Sequence, residues 1–166
     1  MATAEDRIRR DEEAGSPSPA PVLIRLAEIT DADEVAAIEA RAFSNPWHPE
    51  TFRSLISQGN AHILIAEDPK FGVVGYAVVW WVLEQGELAN LAVVEGFRGR
   101  GVGSALLDRV LLDAKANQVE SLFLEVRTSN YRAYDLYLSR GFAQVGVRKD
   151  YYRQPREDAR ILVKGL

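Results

Sequence analysis

The chain has 166 residues, enough for one domain with a sizeable core, and 47% of them are hydrophobic. A formal charge of −4 and a pI near 5.3 argue against general nucleic-acid binding. There is no cysteine, which excludes disulfides, thiolate metal sites and a cysteine nucleophile, and the apolar runs are too short for a membrane span.

Residues 1–20 differ in composition from the rest. Glu5 to Glu13 mixes acids with Arg, and Ser16-Pro17-Ser18-Pro19-Ala20-Pro21 then breaks any helix. This stretch reads as a mobile, solvated tail. It has no apolar h-region and too many acids for a transit peptide, so a cytoplasmic protein is expected. The domain is expected over residues 21–166. Val22 to Ala27 reads as a first strand. Thr30 and Asp33 look like a helix start before Val35, Ile38, Ala42 and Phe43, which recur at helical spacing. Asn45-Pro46-Trp47-His48-Pro49 ends that helix, and Pro49 opens a second one through Phe52, Leu55 and Ile56.

Ala61 to Glu67 and Val73 to Leu83 read as a hairpin, and Gly86 to Val94 as the next strand. Val102 to Ala116 is a helix with Leu106, Leu107, Val110 and Leu111 on one face. Val119 to Val126 is a strand, and Asn130 to Arg140 a helix capped by Gly141. Phe142 to Arg148 and Ala159 to Lys164 close the sheet. The fold class is therefore mixed α/β, one central sheet flanked by about four helices.

The run Arg98-Gly99-Arg100-Gly101-Val102-Gly103 lies between a strand and a helix. Three glycines in one short turn let the backbone approach a ligand closely. The free amides of the next helix would point at an anion. A Walker loop needs a Lys after its last Gly, and Val102, Gly103 and Ser104 stand there instead. A Rossmann fingerprint needs G-x-G-x-x-G early in the chain, and this is G-x-G-x-G past its middle. A phosphate cradle and an ordinary tight connection both fit the turn taken alone.

With Arg98, Gly101 and Gly103 in the pattern Arg/Gln-x-x-Gly-x-Gly/Ala, the chain resembles the GCN5-related N-acetyltransferases. The resemblance implies that Arg98, Gly99, Arg100, Gly101, Val102, Gly103 and Ser104 hold the pyrophosphate of acetyl-CoA, chiefly through backbone amides. The strand Asn90 to Val94 would splay from its neighbour and bind the pantetheine arm and thioester carbonyl. Gly99 stands where another basic residue is frequent in that family.

The stretch Leu124-Glu125-Val126-Arg127-x-Ser129-Asn130, then Ala133, Leu136-Tyr137 and Gly141-Phe142, is similar to one branch, the RimI ribosomal-protein-alanine N-acetyltransferases. Lys149-Asp150-Tyr151-Tyr152, Glu157-Asp158-Ala159 and Phe43-x-x-Pro46-Trp47 match it too, and the likeness covers roughly residues 22–165. It implies Glu125 as proton acceptor, Tyr137 as proton donor, Asn130 as a cofactor contact, and Leu91, Ala92 and Val93 as the acetyl-CoA strand segment. Pro46, Trp47, Tyr151 and Tyr152 would line the peptide side, where core or rim packing explains aromatic residues equally well. The short segment Arg153 to Glu157 departs from the branch and leaves the shape of the substrate loop open.

Read singly, Glu125 is also consistent with a solvated or Arg-paired strand carboxylate, with Arg127 the obvious neighbour. Tyr137 is consistent with a half-buried core ring. Glu87, on the cofactor strand beside Gly86, is a rival base, expected to be solvated. His48 and His62 have no acidic partner suggested by spacing, and no metal is expected.

Amide formation from a thioester needs a neutral amine, and an α-amino group (pKa about 7.7–8.0) reaches that state more readily than Lys (about 10.4). The expected function is thus acetyl-CoA-dependent Nα-acetylation in a ternary complex. Resemblance names the acceptor as the N-terminal alanine of a basic small-subunit ribosomal protein. A broader N-terminal or lysine acetyltransferase, and a non-catalytic acetyl-CoA-binding module, are the alternatives. A monomer or weak dimer, with neither nucleic acid nor membrane as partner, completes the expectation.

Overall fold

A computed structural model describes residues 22–166; the tail read over residues 1–20 lies outside the described residues. Seven strands form one mixed sheet in the order β1-β2-β3-β4-β5-β7-β6. They are β1 (Leu23–Leu26), β2 (His62–Asp68), β3 (Gly72–Val82), β4 (Gln85–Val93), β5 (Ser121–Arg127), β6 (Ala143–Arg153) and β7 (Arg156–Gly165). The described residues also form four α-helices: α1 (Ala32–Ala42), α2 (Pro49–Gln58), α3 (Val102–Ala116) and α4 (Tyr131–Ser139). No helix among them is long and apolar enough to cross a membrane.

Two compact units make up the described chain. One comprises the described residues up to Val78 together with Asn90–Arg109; the other comprises Val79–Ala89 and Val110–Leu166. In the first, β1 pairs antiparallel with β2, from Leu23↔Glu67 to Leu26↔Leu64. Helix α1 buries Ala32, Val35, Ala36, Ile38 and Glu39, the i, i+3, i+4, i+7 stripe of an amphipathic helix. The helix begins within two residues of the Thr30/Asp33 reading, capped by neither of them. A 3-10 turn over Ile29–Asp31 precedes it and Asp31 is its N-cap residue. Asp31 is already committed: its carboxylate accepts the Glu28 N–H at 2.7 Å and pairs with Arg25 at 2.8 Å. Pro49 occupies the first turn of α2, and Gly59 ends that helix in the left-handed region.

In the second unit, β4 and β5 run parallel from Gln85↔Ser121 to Leu88↔Leu124. That paired register ends at Leu88↔Leu124, whereas β4 itself runs on to Val93 and β5 to Arg127. β5 continues antiparallel to β7 through Arg127↔Ala159. Its burial alternates residue by residue, with Leu122, Leu124 and Val126 inside. Truncating Leu124 to Ala would cost about 2–5 kcal/mol of stability. Reading strands only to Arg148 and from Ala159 understated the hairpin: β6 and β7 extend until Gln154-Pro155 alone joins them. The reason is an irregular register. Arg148 pairs with Ala159 and Tyr152 with Glu157, so four steps on β6 face two on β7. Asp150 sits there at φ 51°, in the left-handed region, and its N–H donates to Asp158 Oδ1 at 2.8 Å.

Helix α4 is fixed at both ends. Asn130 Oδ1 accepts the Ala133 N–H at 3.2 Å, an N-cap bond. At the far end Gly141 N–H donates to the Leu138 carbonyl at 3.0 Å, and Phe142 N–H to the Tyr137 carbonyl at 3.1 Å. This is a Schellman motif, and Gly141 supplies its positive φ of 83°.

Candidate active site

Between β4 and α3 the chain makes a 3-10 turn, Glu95–Phe97, and then the glycine run. Ala105 N–H donates to the Gly101 carbonyl at 2.9 Å, so Gly101 is the N-cap and the amides of Val102, Gly103 and Ser104 form the first turn. Gly99 and Gly101 both have positive φ, 74° and 85°, and a Cβ on either would meet no atom within 4 Å. The glycines are thus required by backbone angle, not by crowding. Such a helix start, with free N–H groups, could receive an anion. The two arginines stay close to the chain. Arg98 Nε donates to the Val93 carbonyl at 2.9 Å, and the Arg100 guanidinium lies 4.5 Å from the Phe97 ring centroid. Ala92 is buried at 6% exposure between half-buried Leu91 and Val93.

The same unit holds a buried carboxylate that sequence reading passed over. Glu39 is 1% exposed. It accepts the Trp47 N–H at 3.0 Å, both Asn90 Nδ2 contacts at 2.9 and 3.1 Å, and the Tyr76 hydroxyl. Burial, then the Glu39 charge, holds the Tyr76 phenol well above its ordinary range. Trp47 and Pro46 are half-buried, and the Trp47 ring tilts against Phe52 at 5.8 Å.

The second unit carries an open cleft of about 340 Å³, lined by Trp80, Glu87, Phe123, Glu125, Arg148 and Ile161 among others. Glu125, on β5, projects into it with its side chain 19% exposed. Arg148 pairs with it, its Nε 2.8 Å from Glu125 Oε1. Arg127 reaches the end of the hairpin, where it donates to the Gln154 and Pro155 carbonyls at 3.2 and 3.0 Å and pairs with Glu157 at 3.3 Å. Glu87 lines the same cleft, but it is not simply solvated: Trp80 Nε1 donates to it at 3.1 Å.

Two tyrosines of β6 join Glu125 electrostatically. Hydrogen bonding to Glu125 pushes the Tyr151 phenol up to about 12, and burial, then the Glu125 charge, pushes Tyr152 up to about 12. Their rings meet edge to face at 5.0 Å, and Arg127 stacks 4.0 Å from Tyr152. Tyr137 is 7% exposed, more deeply set than a half-buried ring. Burial raises its phenol, with Tyr152 the next influence, so it holds its proton at neutral pH. Asn130 is an exposed helix cap, its Oδ1 occupied by Ala133.

Comparison with known proteins decides the family. Residues 32–142 match the acetyltransferase (GNAT) family. The chain belongs to the GNAT acetyltransferase family. It is an acyltransferase, and members of the family use acetyl-CoA. It is 35% identical over 141 residues to the ribosomal protein bS18-alanine N-acetyltransferase of Escherichia coli (strain K12), covering 84% of this chain and 94% of that one. It is 32% identical over 143 residues to the enzyme of that name from Haemophilus influenzae, covering 84% and 96%. The crystal structure of the ribosomal-protein-S18-alanine N-acetyltransferase from Escherichia coli superposes with a TM-score of 0.78 at 32% identity, over 87% of this chain and 94% of that one. Ard1 from Thermoplasma volcanium superposes with a TM-score of 0.79 at 25% identity, over 89% and 99%.

Within this GNAT chain, sequence reading missed Arg148, Trp80 and Glu39. For Glu39 a signal existed: it follows Ala32, Val35 and Ala36 at core spacing, so a carboxylate stands in an apolar stripe. For Arg148 and Trp80 none did, because their partners lie across strands.

Proposed function

We propose that this GNAT protein is an acetyl-CoA-dependent Nα-acetyltransferase of the cytoplasm, with residues 21–166 as its catalytic domain. Its acceptor is the N-terminal alanine of ribosomal protein bS18. The curated relatives named for that activity support the acceptor. One observation carries the chemical reading: Glu125 in the cleft, with Tyr151 hydrogen-bonded to it and the buried Tyr137 on α4 of the same unit.

Acetyl-CoA, when bound, supplies the thioester carbonyl carbon that the amine attacks. The amides of Val102, Gly103 and Ser104 receive the pyrophosphate, and the backbone of Leu91, Ala92 and Val93 holds the arm. Glu125 takes the proton that the α-ammonium must lose, directly or through one water. An α-amine asks little of such a base. The new C–N bond forms as the C–S bond breaks, and the sulfur leaves with the electron pair. Tyr137 donates its O–H to that sulfur. A thiol's ordinary pKa near 8.5 lies below that of a buried phenol. Tyr137 therefore acts first as a hydrogen-bond donor to the developing charge, and the amine's own proton balances the products. Pro46, Trp47, Tyr151 and Tyr152 receive the acceptor peptide.

The test is transfer to a synthetic peptide beginning Ala-Arg, beside an Nα-blocked twin that contains Lys, with the product located by mass. Acetylation of the free α-amine alone is expected. Modification of the blocked twin's Lys would replace this reading with a lysine acetyltransferase.

A further inference from the structure

We propose that Glu39 is a positioning residue, tying the acceptor loop between α1 and α2 to the residue that opens the acetyl-CoA segment of β4; this rests on the functional reading above. The carboxylate is 1% exposed and stands in the apolar stripe of α1. Burying a charge there is unfavourable unless its hydrogen bonds are supplied. Three elements supply them. The loop gives the Trp47 backbone N–H at 3.0 Å, β3 gives the Tyr76 hydroxyl, and β4 gives Asn90 Nδ2 at 2.9 and 3.1 Å. Asn90 immediately precedes Leu91, Ala92 and Val93.

The consequences for the two substrates differ. β4 is held by its strand pairing whether or not the carboxylate is there; Val94 N–H, just past its end, still donates to the Val74 carbonyl at 2.9 Å. The loop is irregular backbone after Phe43, and its Trp47 amide points at Glu39. Charge-assisted bonds from a buried carboxylate are stronger than neutral ones. Losing this one releases the peptide side and leaves the acetyl-CoA side in place. The carboxylate touches no reacting atom; it acts through Trp47.

Two variants separate this role from plain stability. Glu39→Met keeps the length and suits an apolar stripe, but it removes every acceptor. Glu39→Gln keeps one acceptor oxygen for the Trp47 N–H, and its NH2 is a donor that the Tyr76 hydroxyl oxygen or the Asn90 amide oxygen is able to accept. We expect Glu39→Met to raise the KM for the Ala-Arg peptide about tenfold, with the KM for acetyl-CoA changed less than twofold. Glu39→Gln is expected within about threefold of the parent on both.

Hydrogen exchange of the Trp47 amide gives a readout that needs no turnover. It should be protected in the parent and in Glu39→Gln, and unprotected in Glu39→Met. A Glu39→Met protein that loses only kcat, with both KM values unchanged, would overturn the proposal. So would a parent Trp47 amide that exchanges at the free-peptide rate, a result that stands even if Glu39→Met does not fold. A parent that protects Trp47 but acetylates no Ala peptide would overturn the acceptor reading itself, and would leave the Glu39 bonds as structure alone.

Discussion

Phe142 grips Tyr137 twice: its N–H donates to the Tyr137 carbonyl at 3.1 Å, and the two rings meet edge-on with centroids 5.7 Å apart. The backbone bond and the ring contact are the two halves of one Schellman motif. The helix cap therefore fixes the proposed proton donor, and the turn that makes it possible is Gly141.

Gly141→Ala should thus destabilise the protein by about 1–2 kcal/mol, the cost of a Cβ in the left-handed region. The new Cβ would come within 2.8 Å of Lys164 Nζ, the far end of a flexible side chain, which is able to move away. Urea unfolding of parent and variant measures the difference. An unchanged midpoint would mean that the cap contributes nothing.

Tyr137→Phe removes the hydroxyl and keeps the ring that packs on Phe142. The expected result is a fall in kcat of about 10²-fold or more with thermal stability nearly unchanged. Single-turnover transfer and a melting curve on one preparation test both halves. Full activity in the phenylalanine protein would assign the donor elsewhere, with Tyr151 and Tyr152, the phenols that feel the Glu125 charge, the next candidates.

For Glu125→Gln the loss in transfer should be about 10²–10⁴-fold, the usual worth of a general base. Acetyl-CoA binding should persist. Stability should change by less than about 1 kcal/mol, because the Arg148 partner is 58% exposed and screened by water. Calorimetric titration with acetyl-CoA separates a lost base from a lost fold. Glu87→Gln in parallel decides between the two carboxylates of the cleft.

Glu157 gives a pH signature. Bonds from Ser129 and Thr128, with Arg127 beside them, hold its carboxyl down at about 2, below the ordinary 4.5. A carboxyl depressed in the folded state stabilises the protein above its unfolded value, and that contribution fades as the pH falls from 4.5 towards 2. Glu157→Gln should therefore be less stable than the parent at pH 7, and the gap should narrow steadily through that acid window. Denaturant midpoints at a series of pH values would show it. A gap independent of pH would mean that the glutamate acts by shape alone.

Gly101→Val should weaken acetyl-CoA binding about tenfold or more. The residue has φ 85° and open space where its Cβ would lie, so a branched side chain both strains the N-cap and intrudes on the cradle. Fluorescence or calorimetric binding of acetyl-CoA measures it. Unchanged affinity would remove the loop from the cofactor site.

Much of this was legible in the chain. The 3.6-residue spacing of α3 gave Val102–Ala116 to the residue, and Pro49 and Gly141 marked helix ends by their backbone angles alone. The Arg98 to Ser104 run and the Glu125 to Phe142 stretch led to the family through residues that sit close together in sequence. What stayed hidden was pairing at long range. Arg127 is the neighbour on the same strand face, and only the three-dimensional hairpin reveals that it also reaches Gln154, Pro155 and Glu157 and that Arg148 pairs with Glu125. The extent of β6 was hidden too, because its irregular register erases the period of two on which strand reading depends.

That irregularity has a second consequence, for solubility. β6 is the outermost strand on its side of the sheet, and Val145 and Val147 are 60% and 44% exposed on it. A long, regular, apolar edge invites another chain to add a strand. Two breaks in register, and the charges of Arg148, Lys149, Asp150 and Arg153, spoil the template. The distortion around Asp150, beside Tyr151 and Tyr152, interrupts the ladder where another strand would have to continue it.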